Sequence, residues 1–307
     1  MDQGLGWHVG RAAMWRFLVR RGLRRMLFGV ESGVDSILGR FAKETTGQQN
    51  ALAIRTLSAL GVPTRFTYIT FDHLMTLEEL KATYAFQGRT DLLLRPMPHL
   101  AAEEIVRGVR DEEFAAQAAT GQPLHTAISY MLVSMECLIG AAYTRKVQAA
   151  GLTGAIRPSM GRVDARFADW RIGVASHWAQ LWVDRNFALD YTLKSLEKVL
   201  DGPPRHAVRQ ARAVLKDAAY AVLGQMIAAI EVQPLAGAAR GQERLSAQIG
   251  ALLDAQIQVL RGRMGDTVGQ VAATLPARHL RMLHDEHQRW DAAPGWRLIN
   301  AADPCGT

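Results

Sequence analysis

The sequence predicts an α/β region followed by a region built from helices alone, and three observations carry that division. Over the first hundred residues, short β-branched or apolar runs alternate with helical segments. Beyond about residue 110, only helical periodicities recur. Glycine and proline breaks such as "GQP", "GLTGAIRP", "DGPP" and "EVQPLAG" separate those helices. The expected domains are therefore 1–110 and 111–307, with about 291–307 as a loose tail.

Each element has a local reason. "RAAMWRFLVRRG" (11–22) sets Met14, Leu18 and Val19 at helical spacing and stops at Gly22. "RRMLFGV" reads as a buried strand and "SGVDSILGRF" as a short helix. "TTGQQNALAIRTLSALG" opens on a capping box, Thr45 with Gln48, and runs Ile54, Leu57 and Leu60 along one face before Gly61. "TRFTYITF" is the next strand, "TLEELKATYAFQG" a helix boxed by Thr76 and Glu79, and "DLLLR" a third strand. Strands separated by helices of this length imply right-handed crossovers and a parallel sheet. Three strands make an incomplete barrel or a small open sheet, with an exposed edge on the N-terminal side unless another chain covers it. Helices are then expected at 111–119, 124–149, 161–199, 205–231, 240–262 and 276–289.

Composition narrows the class. With 49% hydrophobic and 21% charged residues in 307, the chain is an ordinary globular protein. The net charge is +7, but no block of five or six like charges occurs, so neither nucleic acid nor membrane is an expected partner. Residues 11–25 hold six arginines and no acid, yet run straight into a strand as a structural helix would. The apolar stretch 127–143 contains Glu136 and is shorter than a bilayer span, so it reads as a buried helix. No signal peptide is visible, and a cytoplasmic protein is expected. Two cysteines, Cys137 and Cys305, exclude a disulfide framework and any four-thiolate site within this chain.

In parallel α/β folds the ligand sits at the carboxyl ends of the strands. Those ends here carry Glu31 and Ser32, then Asp72 and His73, then Arg95 and "PMPH" with His99. Ser32 is equally well placed to cap the helix that follows. His284 and His287, three apart, read as a polar helix face; Trp170, Trp178, Trp182, Phe187 and Tyr191 read as a helix–helix core stripe.

The markers "FGVESG", "K-x-T-T-x-x-Q", "GVPTRFTYITFD" and "TLEEL" stand in that order between residues 28 and 80. Together they resemble the second half of a radical S-adenosylmethionine (radical SAM) catalytic domain, in the branch whose members often carry a cobalamin-binding domain. The match covers roughly residues 11–100. The resemblance implies a partial (β/α) half-barrel, a [4Fe–4S] cluster that binds S-adenosylmethionine (SAM), its reductive cleavage, and a small-molecule substrate, with cobalamin in the parent enzyme. It places Glu31 and Ser32 on the SAM-contacting wall and Asp72 near the active-site rim.

The departure from the family is as informative. Its cluster is held by a C-x-x-x-C-x-x-C loop, and no such motif occurs among these residues. The expected protein is a truncated product, one half of a split enzyme completed by a partner chain, or a retained remnant; in each case it is inactive alone. The alternative is a non-catalytic protein that docks a partner through the exposed sheet edge.

Overall fold

A computed structural model describes residues 4–236 and 238–298. Helices α1 (Leu5–Arg20), α2 (Asp35–Arg40), α3 (Gly47–Ala59), α4 (Leu77–Gln87), α5 (Ala102–Gly108), α6 (Glu112–Ala118) and α7 (Ala142–Ala149) share the first half of the chain with strands β1 (Met26–Glu31) and β2 (Thr64–Tyr68). Strands β3 (Thr153–Arg157) and β4 (Arg162–Ala165) follow, and then the helices α8 (Trp170–Val199), α9 (Gly202–Glu231), α10 (Ala238–Ala272) and α11 (Ala277–Ala292). The chain divides into two compact units, Met1–Ile69 with Lys81–Tyr130, and Thr70–Leu80 with Met131–Thr307. It is mostly helical, with a small parallel sheet.

In the first unit, β1 and β2 run parallel, with Met26 opposite Thr64 and Phe28 opposite Phe66. Side chains alternate across the sheet. Phe66 and Tyr68 are buried on one face, where Phe28 also meets Trp15 of α1 edge-on at 5.4 Å. Leu27, Gly29, Arg65 and Thr67 point to the other face, and none of these four is buried. β2 has a neighbour on each side, since Phe66 also bridges Ile128 in parallel. α3 is capped as a box one residue later than expected: Gln49 N–H donates to Thr46 Oγ1 at 3.2 Å, and Thr46 N–H donates to Gln49 Oε1 at 3.1 Å. The box of α4 falls on Thr76 and Glu79 as expected. Behind α3, the buried guanidinium of Arg55 forks onto Glu112 at 2.9 and 2.7 Å and also donates to Asp91. Hydrogen bonds from Arg89, and then from Arg55, hold the Asp91 carboxyl down at about 2.

Three expectations are corrected. "DLLLR" is not a strand; Leu94 makes only an isolated antiparallel bridge to Ala119. Its backbone is claimed elsewhere: Leu94 N–H donates to Ser58 Oγ and Arg95 N–H to the Ala118 carbonyl. The helix expected at 124–149 is a 3-10 turn at Leu124–Ala127, an extended stretch, and only then α7. Within that stretch Ser129 N–H donates to Phe66 O, Thr70 N–H to Val133 O and Met135 N–H to Phe71 O, so this apolar run serves as an extended sheet neighbour. Leu132, at φ 63°, would break any helix there. Finally, the region after 110 is not all-helical. β3 and β4 form an antiparallel hairpin turned by Pro158–Met160 and by Gly161 at φ 65°.

In the second unit, α8 to α11 pack as a bundle around Leu189, Leu193, Val222, Met226, Leu253 and Leu260. Arg212 of α9, 2% exposed, reaches Asp190 at 2.8 Å and Glu197 at 2.9 Å on α8. α9 is long and apolar enough to cross a membrane by length and composition, but more than half of its apolar window is buried in the protein. Of the aromatic stripe on α8, Trp182 is buried, while Phe187 and Tyr191 stack on each other at 5.8 Å and stay exposed. Trp296 stacks on Trp182 at 6.0 Å and donates to Asp254 Oδ1, whereas 299–307, with Cys305, lie outside the described residues.

Candidate cofactor-binding site

β1 ends irregularly, and that irregularity builds the site. The pairing register with β2 slips between Gly29 and Glu31, and Glu31 adopts φ 62°, a left-handed conformation costly for a residue with a side chain. The turn is held from three sides. Ile69 N–H donates to the Glu31 carbonyl, and Asn50 Nδ2 donates to the carbonyls of Val30 and Ser32 at 3.0 and 2.9 Å. The carboxylate of Glu31 folds back over the strand, where Thr67 Oγ1 donates to Oε2 at 3.3 Å and Lys43 Nζ lies 3.8 Å from Oε1. Only glycine allows this fold-back, because a Cβ at Gly29 would overlap Glu31 Oε1. The side chain stays 20% exposed, on the uncovered sheet face. Glu31 is thus an oriented carboxylate with acceptor capacity to spare.

Ser32 sits beside it but points inward. It is fully buried, and its hydroxyl accepts Val34 N–H at 3.1 Å, a turn bond two residues on; it does not cap α2, whose N-cap is Val34 and has no side-chain cap. Next to it, Gly33 N–H donates to the Tyr68 hydroxyl at 2.9 Å. Burial pushes that phenol up to about 12, against the pull of Gly33 and Ser32, so it stays protonated. A Cβ at Gly33 would run into the ring of Phe86.

Asp72 belongs to the second unit and to a different kind of arrangement. It is 1% exposed, and its Oδ1 accepts Leu74 N–H at 2.9 Å and the Tyr143 hydroxyl at 3.1 Å. Tyr143 in turn accepts His73 N–H at 2.8 Å. The His73 ring lies 4.6 Å from that of Phe167, and its Nδ1 is 3.4 Å from the Tyr143 oxygen and 3.7 Å from Cys137 Sγ. Burial lowers the His73 pKa, with Asp72 opposing; burial raises those of Cys137 and Tyr143. At neutral pH the three are therefore a neutral imidazole, a thiol and a phenol. Sequence reasoning picked out His73 as a strand-end residue and missed Tyr143 and Cys137 as its partners. No local pattern could have revealed them, because they come 64 and 70 positions further along.

Two other features complete the picture. A cleft of about 580 Å3 in the first unit is lined by Asp35, Gln48, Phe86, Arg89 and Glu112 among others, and includes neither Glu31 nor Ser32. His99 is exposed. Among the described residues, no group of three or more His, Cys, Asp or Glu side chains is placed to hold a metal ion. A cluster needing three thiolates does not fit this chain's own residues: Cys137 is a buried thiol and there is one other cysteine. An acceptor facing hydroxyl or ammonium donors does fit, at Glu31.

No family model matches the chain. Over 206 residues it is 39% identical to 4'-phospho-dehydrooxetanocin synthase of Priestia megaterium, a match covering 63% of this chain and 28% of that protein. The structure superimposes on the cobalamin-dependent S-adenosylmethionine radical enzyme OxsB with aqua-cobalamin bound, with a TM-score of 0.75 and 29% identity, over 96% of this chain and 45% of that one. Against OxsB with aqua-cobalamin and S-adenosylmethionine bound, the TM-score is 0.70, over 94% and 44%. The chain spans less than half the length of these relatives. It is homologous to one part of the cobalamin-dependent radical SAM enzymes.

Proposed function

We propose that these residues form one wall of the cofactor cavity of a radical SAM enzyme, arranged as a half-barrel, and that the thiolates of its [4Fe–4S] cluster come from polypeptide outside the 307 residues. The observation that carries this is Glu31: a carboxylate fixed at a strand's carboxyl end, on a sheet face that lacks cover, in a chain without a thiolate set. A carboxylate accepts hydrogen bonds and donates none, so it selects the donors of SAM, its ribose hydroxyls and its ammonium. Thr67, which donates to Oε2, and Lys43, 3.8 Å from Oε1, keep that carboxylate aimed. Ser32 holds the turn that presents it, and Asp72, tied by Tyr143, fixes the loop after β2. When bound on a loaded cluster, SAM supplies the radical chemistry; Glu31's part is to bind and orient. The P. megaterium relative is named for 4'-phospho-dehydrooxetanocin, and a small-molecule substrate and cobalamin use are proposed for the completed enzyme here.

A second reading, a non-catalytic protein that docks a partner, is favoured by one observation: β1 has no strand neighbour besides β2 among the described residues. One experiment separates the two. The chain is co-produced anaerobically with a polypeptide carrying the C-x-x-x-C-x-x-C loop, and SAM cleavage to 5'-deoxyadenosine is measured. The cavity reading expects cleavage, with SAM affinity reduced about tenfold in Glu31→Gln, the scale of one charge-assisted hydrogen bond. A complex that loads its cluster yet leaves SAM intact, or an unaffected Glu31→Gln, contradicts it.

A further inference from the structure

The sheet of the first unit is finished on one side and open on the other. β2 is flanked by β1 and by the segment at Ile128. β1 is flanked by β2 alone among the described residues. In a parallel ladder, alternate residues turn their N–H and C=O to opposite edges. Met26 N–H goes to the Pro63 carbonyl on the β2 side, so Leu27 and Gly29 present theirs to the open edge. The Leu27 side chain is 51% exposed. A two-stranded parallel sheet with an unprotected edge is rare, since such sheets are normally extended and covered.

The helix before β1 shows the same incompleteness. Trp7, Met14 and Phe17 lie three and seven residues apart, so they share one quadrant of α1, opposite Ala12 and Arg16. Ala12 is buried and Arg16 donates to the Leu100 carbonyl, which marks the packed side. Trp7 and Phe17 are 47% and 55% exposed, with Arg11 and Arg21 each 5.1 Å over their rings. Arg11 and Arg21 border this surface, and no acid occurs in 11–25 to offset them.

We propose that the open edge of β1 and the Trp7–Met14–Phe17 stripe of α1 form a docking surface for one polypeptide, which adds a strand parallel to β1, packs apolar side chains on the stripe and meets the arginines with acidic groups. The proposal rests on the cavity reading for the occupant's identity: it is the thiolate-bearing polypeptide. Only a peptide backbone matches a row of alternating strand donors and acceptors, and the basic border selects an acidic partner. The relatives are more than twice as long as their match to this chain, so they contain further polypeptide outside it.

The test uses the chain itself, tagged, co-produced with the part of the P. megaterium relative that lies outside its match. Leu27→Pro removes one outward N–H and no bond to β2, and proline is tolerated on a sheet edge. Phe17→Glu places a charge on the stripe. The expected result is a stoichiometric complex with the unchanged chain, weakened about tenfold or more by each variant, while the melting transition of the chain alone moves little. A complex indifferent to both variants, no complex with this probe, or a homodimer that Leu27→Pro dissolves would each overturn the proposal. The two readings fail separately. A complex made through another surface that loads iron and cleaves SAM removes the docking surface and leaves the cavity. A complex sensitive to both variants that never cleaves SAM keeps the surface and removes the cavity.

Discussion

Two carboxylates follow the parallel strands, Glu31 at the end of β1 and Asp72 four residues beyond β2, and the protein treats them in opposite ways. Glu31 is held on a left-handed turn, 20% exposed, with one hydroxyl and one distant ammonium for company. Asp72 is sealed at 1% exposure among His73, Tyr143 and Leu74 N–H. One carboxylate therefore keeps acceptor capacity open to solvent, and the other spends its oxygen Oδ1 on internal donors. What decides is the number of internal donors that consume the oxygens, not the place in the chain.

That contrast can be broken by mutation. Tyr143→Phe should show the largest effect. It leaves His73 N–H and one Asp72 lone pair without their partner in a buried site, a loss of about 2 kcal/mol in urea unfolding. Ser32→Ala should cost about 1 kcal/mol, the value of the buried hydrogen bond from Val34 N–H. Glu31→Gln should stay within about 0.5 kcal/mol of the parent, because its side chain has only a 3.3 Å hydrogen bond and a 3.8 Å ion pair to lose. Equal penalties for Tyr143→Phe and Glu31→Gln would erase the distinction. The pH profile sharpens it further. The folded-state pKa of His73 lies below its ordinary value near 6.5, so the unfolded chain binds the extra proton first. Stability is full above that value and falls as the pH drops below it, and His73→Gln should flatten this limb in denaturant titrations from pH 7.5 to 5. Gly29→Ala should leave stability nearly unchanged, yet displace the Glu31 carboxylate and so weaken SAM retention by the completed enzyme.

Much of this was legible because it is local. The capping boxes, the two parallel strands and the long C-terminal helices follow from spacing and punctuation, and the question why an apolar strand ends on an acid leads to the left-handed turn at Glu31. The rest was set by distant partners. "DLLLR" has strand composition, but its amides are taken by Ser58 and Ala118. The apolar run 127–143 has no periodicity that separates strand from helix, and β2 and the residues after it decide the matter. The β3–β4 hairpin was hidden in a stretch whose glycines and proline read as a break. In the same way, the closure of Asp72 depends on Tyr143, 71 residues away, which no pattern near position 72 announces.

The proposed cavity wall takes its iron ligands from other polypeptide, and anaerobic iron–sulfur reconstitution of the purified 307-residue chain tests this most directly. Iron and sulfide analysis together with the visible charge-transfer absorbance should find no stoichiometric [4Fe–4S] cluster. One cluster per chain, stable to gel filtration, would contradict it.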